Sequence, residues 1–530
     1  MLKIDNIKGN IFGGITAGII ALPLALAFGV ASGLGAAAGL WGAIIVCFFA
    51  TLFGGTPTQI SGPTGPMTIV IASLVVTYPN NPKIIFMTIF LAGLFQIALS
   101  FSKVAKLVHY VPYPVISGFM SGIGVIILML QLAPFLGLNA DGSPVEQLFY
   151  VFKHLQDINV SAIILGIFSL LIIFFTPKKI TRYCPSSLIA LIIGTIVSII
   201  LHLDIKTIGE IPFGFPHFEL GIISIKDFQA IIPLAITLAV LGAIDSLLTS
   251  LVADSITNTK HDSNKELFGQ GLGNAVAGLF GGLAGAGATM RTVINVNSGA
   301  TGRLSGVIHS LFLICLALFF APFASKIPLA ILAAILIKVG IDIIDYKYLN
   351  VITRSQKSDV FVMLTVFILT IVDNLIFAVG VGIVISSVLF AAKESKDIVV
   401  DIYDHEIPFL DEECSKYIGI IHIDGMFFFG SASTVLARSE HLIEKETVII
   451  DCEKVKSIDI SATYALEKMI TNLKNRNIHV IVVFNNVKIA MKEYQAGLYP
   501  LLTRHDTTLT LKRAVEKAIR YHNKLLETKN

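Results

Sequence analysis

Two short stretches hold residue types that could bind a small ion. The first reads Ser61-Gly62-Pro63-Thr64-Gly65-Pro66-Met67-Thr68 and the second Gly285-Ala286-Gly287-Ala288-Thr289-Met290-Arg291-Thr292. Each leads into a short apolar run, 64–77 and 288–299. Neither run reaches the ~20 helical residues that cross a bilayer. A helix start offers free backbone N–H groups and about half a positive charge, so two starts that meet in apolar surroundings cradle an anion. Thr64 and Thr289 stand at those starts with hydroxyls that can donate to an oxyanion, and Arg291 adds a full charge in the first turn. Other readings stay open. Gly and Pro also permit close helix packing or a kink, and Arg291 can snorkel to water or pair with a carboxylate.

The counter-charge is Asp245, set in the apolar run Leu241-Gly242-Ala243-Ile244-Asp245-Ser246-Leu247-Leu248-Thr249. An Asp at the centre of a spanning helix costs roughly 2.5 to 3.5 kcal/mol, so it is rarely idle. Thr249 lies four residues on, along the same helical face. One carboxylate, the hydroxyls of Thr249 and Thr289 and a free carbonyl at Gly287 make a hard-oxygen set for a small cation, and sodium beside the anion is the expectation. The competing reading is that Asp245 only neutralises Arg291. Asp254, Lys338 and Asp373 read as interfacial groups, and Gln96 and Gln131 as helix-contact polar groups.

The elements that must hold these residues are membrane spans. The 530 residues are 54% hydrophobic and 14% charged, against about a quarter charged in soluble domains. Their mean hydropathy is +0.79, which excludes a soluble enzyme. Apolar runs fall at 12–31, 35–53, 64–77, 84–102, 113–135, 160–176 and 186–203, then at 228–252, 262–283, 288–299, 303–321, 327–344, 358–374 and 376–394. The two short runs are each third of seven. Two sets of seven have opposite orientation, the pattern of an inverted-repeat transporter with broken helices at the midplane. Fourteen spans put both termini on one side. Lys and Arg gather in loops on that side, among them Lys3, Lys8, Lys103, Lys106, Lys178, Lys179, Arg182, Lys347, Arg354 and Lys357, with fewer opposite, such as Lys83, Lys206 and Lys326. The positive-inside rule makes that side, and both termini, cytoplasmic.

Charge divides the chain at about residue 400: residues 1–400 hold 40 of the 75 charged residues and 401–530 hold 35. A transmembrane domain, 1–400, is therefore followed by a cytoplasmic domain, 401–530. Strands are expected at 417–424, 447–452 and 479–485, with helices at 461–474 and 510–526, so the tail is a small α/β domain. Ser461 sits at a strand-to-helix turn where a phosphate would meet a helix start; a capping role for Asp459 or Ser461 is the plainer reading. Cys47, Cys184, Cys315, Cys414 and Cys452 show no paired or metal-ligand spacing. No nucleotide loop, metal cluster or catalytic triad stands out, so neither an ATP-driven pump nor an enzyme is expected. The net charge of +3 is too small to suggest a nucleic-acid partner.

Taken together, Ala21-Leu22-Pro23-Leu24-Ala25-Leu26-Ala27-Phe28, Gly62-Pro63-Thr64-Gly65-Pro66-Met67, Asp245 through Ser255, Asn264 through Asn274 and Gly287-Ala288-Thr289-Met290-Arg291-Thr292 resemble the SulP sulfate-permease and anion-transporter family with a C-terminal STAS domain. The resemblance covers nearly the whole chain. It implies a polytopic α-helical membrane protein with fourteen transmembrane segments in a 7+7 inverted repeat, divided into core and gate domains, plus a cytoplasmic STAS domain. It also implies elevator-like alternating access, a homodimer in the inner (plasma) membrane and a possible cytoplasmic protein partner for the STAS domain. Within the family the chain is similar to the cyanobacterial sodium-dependent bicarbonate branch. That likeness implies anion contacts at Thr64 and Ala288 and sodium contacts at Asp245, Thr249, Gly287 and Thr289, with sodium as co-transported ion and no resident cofactor. Arg291 departs from the branch, which can carry Gly there, whereas relatives handling sulfate carry Arg more often. The expected activity is sodium-coupled bicarbonate symport. The alternatives are a sulfate transporter driven by protons or sodium, and an anion exchanger or channel. Ser461 falls where related STAS proteins are phosphorylated.

Overall fold

The computed structural model describes the chain except residues 1–5, 80, 103–110, 141, 182–184, 210–217, 219–223, 373–374, 397, 404–415, 440–441, 443, 485–486, 488–489, 492–497, 499–500, 504 and 530. Lys3, Lys103, Lys106, Arg182, Cys184, Asp373 and Cys414 therefore lie outside the described residues. The chain forms two compact units, Met1–Ile383 and Val384–Asn530.

The first unit opens with α1 (Ile7–Ala31), α2 (Ala36–Phe53), β1 (Ser61–Gly62), α3 (Gly65–Thr77), α4 (Pro82–Ser100), α5 (Tyr113–Phe135), α6 (Pro144–Lys153), α7 (Val160–Phe175), α8 (Lys178–Thr181) and α9 (Ser186–Ile200). It continues through α10 (Ile225–Thr257), α11 (Ser263–Leu279), β2 (Ala286–Gly287), α12 (Thr289–Asn297), α13 (Leu304–Ala324), α14 (Leu329–Ile343), α15 (Tyr346–Leu349), α16 (Lys357–Val372) and α17 (Leu375–Lys396), the last of which runs on into the second unit. Each expected span coincides with one helix. Among the described residues six helices are long and apolar enough to cross a membrane: α1, α2, α4, α5, α10 and α17. The third element of each set is short as expected, with 13 residues in α3 and 9 in α12. Each begins just after a two-residue strand. Pro23 and Pro233 sit inside α1 and α10, where neighbouring helices supply the packing that tolerates them.

Two groups of helices form within this unit. One packs α1, α2, α4, α10, α11, α12 and α13 together; the other packs α5 with α14 and α16, and α7 with α9 and α14. Lipid tails are as apolar as Leu, so close packing rather than water exclusion holds helices together in a bilayer. The α4–α11 seam shows how. A Cβ on Gly93 would come within 2.5 Å of the Gly271 carbonyl oxygen, and one on Gly271 within 2.7 Å of the Gly93 carbonyl oxygen. The backbones touch because neither residue has a side chain.

In the second unit β3 (Val399–Tyr403), β4 (Ile418–Phe427), α18 (Ala432–Ser439), β5 (Thr447–Cys452), β6 (Val455–Ile458), α19 (Ile460–Lys474), β7 (His479–Phe484), β8 (Thr507–Thr508) and α20 (Leu511–Lys529) follow in order. The sheet runs β3-β4-β5-β7-β8, with β6 paired to the end of β4. All pairings are parallel except β3 against β4. Alternate residues of β5 and β7 feed two cores: Val448, Ile450, Val480 and Val482 pack with Leu466 and Ile470 of α19, whereas Ile449, Ile481 and Val483 pack with Ala514 and Ala518 of α20. The three expected strands and two helices are present within three residues of their expected ends. β3, β6, β8 and α18 are additions, each too short or too polar to register as a periodic run. Asp459 caps α19 through the Ala462 N–H at 2.8 Å; Ser461 stands in its first turn.

Gly93→Val should force the α4 and α11 backbones apart and cost about 1–3 kcal/mol through overpacking, read as a lower unfolding temperature of the detergent-purified protein. In the tail, burial holds the His479 imidazole below its usual pKa, with Asp506 opposing at 3.8 Å. The unfolded chain then binds more protons than the fold, so tail stability present at neutral pH is lost as pH falls below about 6.5. Denaturant unfolding across pH should show this loss, and His479→Gln should reduce it.

Candidate functional site

β1 and β2 pair antiparallel, Ser61 with Gly287 and Gly62 with Ala286. This ribbon fixes the starts of α3 and α12 beside each other, since each helix follows its strand within three residues. The crossing is extended by the Ala288 N–H, which donates to the Ile60 carbonyl at 2.8 Å, and the Ile60 N–H, which donates to Thr292 Oγ1 at 3.1 Å. Neither helix has a side-chain cap: Thr64, the N-cap of α3, makes no such bond, and Ala288, the N-cap of α12, has no group to make one. Their first-turn N–H groups thus stay available to a ligand.

Asp245 on α10 lies beside Thr64. Asp245 Oδ2 and Thr64 Oγ1 are both buried without a hydrogen-bond partner. One turn on, Thr249 Oγ1 donates to the Gly287 carbonyl at 3.0 Å and lies 2.7 Å from Thr289 Oγ1. Thr249, Gly287 and Thr289 therefore meet at the α12 start, and Asp245, one turn earlier on α10, faces Thr64 at the α3 start. Asp245 also lines a cavity whose other walls are apolar, including Pro66 of α3, Phe119 and Met120 of α5 and Val379 of α17. Among the described residues it is the one ionisable residue there, and the cavity lies on the seam between the two helical groups.

Arg291 stands apart from this cavity. It is 2% exposed, donates from Nη2 to the Pro63 carbonyl at 3.2 Å and packs Nη1 against Gly62, where a Cβ would meet it at 2.8 Å. Gly62 has φ +153°, and its missing Cβ leaves room for the guanidinium. Among the described residues no ion pair joins Arg291 to Asp245, so the two charges are not spent on each other. Asp254 holds His261 at 2.7 Å near the end of α10, Lys338 pairs with Asp342, and Gln96 bonds Ala239 and Asn274 between helices. Gln131 lines a separate cavity with Thr68.

Sequence reasoning missed the groups that support the ribbon. Glu266 on α11 is 1% exposed and accepts from the Gly55 and Thr56 N–H groups, Gln59 Nε2 and Gln270 Nε2 at 2.8–2.9 Å. Asn274 brackets Gly285 through both backbone groups, at 2.9 and 2.8 Å, and Ser246 Oγ accepts from the Gly287 N–H at 3.0 Å. The signal was the spacing of Glu266, Gln270 and Asn274 four residues apart, a polar stripe on an otherwise apolar helix.

Residues 7–366 match the sequence profile of the sulfate permease family, and residues 410–518 match the STAS domain. The chain belongs to the sulfate permease family. It is a multi-pass membrane anion transporter of that family with a C-terminal STAS domain. Among its relatives, a bicarbonate transporter BicA of Synechocystis is 43% identical over 87% of this chain and 85% of its own length. A putative sulfate transporter, YvdB of Bacillus subtilis, is 33% identical over 84% and 85%. The solved transmembrane domain of a cyanobacterial BicA is 47% identical, with a TM-score of 0.66 over 73% of this chain and 98% of that one. SLC26A9 shares only the fold, at 18% identity and a TM-score of 0.86 over 99% and 92%.

Glu266→Ala would leave the Gly55 and Thr56 N–H groups and the Gln59 amide without an acceptor and Gln270 Nε2 with Ser61 alone, a loss of roughly 3 kcal/mol or more. Thermal unfolding of the purified permease should show it, and Glu266→Gln should rescue only in part, because its one carbonyl oxygen can serve the Gly55 and Thr56 N–H groups or the Gln59 and Gln270 amides but not both.

Proposed function

We propose that this permease is a sodium-coupled bicarbonate symporter. The supporting observation is the placement of an unpartnered Asp245 oxygen and Thr64 hydroxyl between two uncapped helix starts, next to Thr249, Gly287 and Thr289. Sodium takes oxygens from Asp245, Thr249, Gly287 and Thr289. Bicarbonate lies against the helix starts at Thr64 and Ala288, where it takes first-turn N–H groups of α3 and α12 and the hydroxyls of Thr64 and Thr289, with Arg291 adding positive potential from behind Gly62. At an inside-negative potential near 100 mV, bringing one anionic charge inward costs about 2.3 kcal/mol, which a co-transported sodium cancels. The α3- and α12-bearing group carries the site past α5 and α14 in an elevator-like movement. The protein resides in the plasma membrane as a homodimer with both termini cytoplasmic, and its STAS domain offers a protein partner a surface that Ser461 phosphorylation would alter.

Sulfate is the second reading. Similarity to a relative named as a putative sulfate transporter and the buried Arg291 charge favour it.

Uptake of radiolabelled bicarbonate and sulfate into proteoliposomes, with sodium varied at fixed pH and potential, separates the readings. Sodium-stimulated bicarbonate entry is expected; sulfate entry driven by a proton gradient without sodium would replace it with the second. Asp245→Asn should abolish sodium stimulation. Thr249→Val should raise the half-saturating sodium concentration by about tenfold, the equivalent of one ligand contact to a charge.

A further inference from the structure

α5 carries a stripe of side chains at helical spacing, Ile116, Met120, Ile123, Ile127 and Gln131, which share one face because residues three and four apart lie above one another. The stripe is apolar until its last member. Ile116 and Met120 line the seam cavity that holds Asp245, together with Pro66 of α3. Ile127 and Gln131 line the separate cavity, together with Gly65 and Thr68 of α3, Phe28 of α1 and Leu336 of α14. Between the two, the α3 start rests on α5 and α14: a Cβ on Gly65 would come within 2.9 Å of Ile127, 3.3 Å of Ile343 and 3.5 Å of Ile123. One cavity therefore lies on each side of the α3 start, each toward a different end of α5.

The loop before α5 holds Lys103 and Lys106 and is cytoplasmic by the distribution of Lys and Arg. Gln131, near the other end of α5, thus faces a cavity in the outer half of the membrane. It is 6% exposed, and among the described residues its carboxamide makes no hydrogen bond. Gln96, by contrast, is bonded to Ala239 and Asn274 between helices. A buried amide with no partner forfeits its desolvation energy unless something entering the cavity meets it. Thr68 across the cavity does not, because its hydroxyl donates to the Thr64 carbonyl at 2.8 Å. Gln131 also belongs to the body that the α3 start moves past: a Cβ on Gly124 of α5 would come within 2.6 Å of the Gly340 carbonyl oxygen of α14, so these two backbones touch and hold together.

We propose that Gln131 is the outer contact for the transported anion: when the α3 and α12 starts move outward along the stripe and past Ile127, the Gln131 Nε2 N–H groups donate to the anion held at those starts. From Ile123, where the α3 start now rests, to Gln131 is ~12 Å along the helix axis, which sets the length of the travel. Elsewhere the stripe offers a charged ligand only hydrocarbon, so the loaded site gains a donor from α5 only at the outer end. This rests on the elevator-like movement proposed for the permease and deepens it.

The test uses the full-length protein, in proteoliposomes and in intact cells. In proteoliposomes Gln131→Leu should raise the bicarbonate KM for entry by about tenfold, as the loss of one bond to a charged ligand requires. Gln131→Glu, equal in size but with a carboxylate that repels an anion, should raise it further. A packing role reverses that order, since Glu keeps the shape of Gln and Leu does not. In cells Gln131→Cys should lose uptake to a membrane-impermeant thiol reagent added outside, and bicarbonate with sodium should slow the loss, whereas the wild type treated alike should keep its uptake. An unchanged KM in Gln131→Leu overturns the proposal. So does Gln131→Glu as the milder change, or a Gln131→Cys thiol that reacts only from the cytoplasmic side in inside-out vesicles. Should the Leu or Glu variant fail to fold, Gln131→Cys carries the comparison, since it only removes atoms from the cavity. If uptake proves independent of sodium, or sulfate enters in place of bicarbonate, the symport reading falls, and the same series run with the anion that enters decides this contact by itself.

Discussion

The pairing of Ser61 and Gly62 with Gly287 and Ala286 is the contact on which the rest of the transport unit depends. Hydrocarbon offers no water to backbone groups, so irregular chain survives at membrane depth only when protein satisfies every N–H and C=O. Two broken helices each face that problem, and the ribbon lets each solve the other's. What the ribbon leaves over, side chains take up: Asn274 at Gly285, Asn295 at the Thr58 carbonyl, Thr292 at Ile60, Arg291 at the Pro63 carbonyl and Glu266 at Gly55 and Thr56. At the tips Thr64 Oγ1 and Asp245 Oδ2 are left without partners, and in the supporting network Gln270 Oε1 and Asn295 Oδ1 are as well.

The same ribbon separates charge. Asp245 opens onto the seam cavity with Thr64 beside it, and Arg291 lies against Gly62 and Pro63, away from that cavity. An ion pair between them would have consumed both charges and left the helix starts with only their dipoles. Apart, the acid can serve a cation while the guanidinium lends long-range positive potential to an anion, an effect that low dielectric strengthens.

Much of this was readable from the chain because its strongest signals are local. Spans follow from apolar length, the broken helices from Gly/Pro punctuation at matching positions, and Asp245 from the cost of an acid in lipid. The supporting network was harder to read. Glu266 stands one residue after Lys265, in the first turn of its helix, and its meaning comes from Gly55, Thr56 and Gln59, more than 200 residues away. His309 lies in a run that reads as an ordinary apolar span, and only the fold shows it fully buried with neither ring nitrogen hydrogen-bonded. In the tail, β3 escaped notice because it pairs antiparallel at the sheet edge, with Val399 exposed.

The seam cavity bears on coupling. Its walls are apolar apart from Asp245, so whatever passes along it in the proposed movement is charged at a cost of several kcal/mol unless the moving group is neutral. With Asp245 at −1 and Arg291 at +1, the empty group is neutral and can move. Sodium alone makes it +1, and a monovalent anion alone makes it −1, so either half-loaded form is held back. Both together restore neutrality. A divalent anion with one sodium leaves −1, and the same rule would demand a second cation. Under the proposed assignment, strict one-to-one coupling thus needs no separate gate for each ion: it follows from keeping two opposite charges on one moving body while denying them contact with each other.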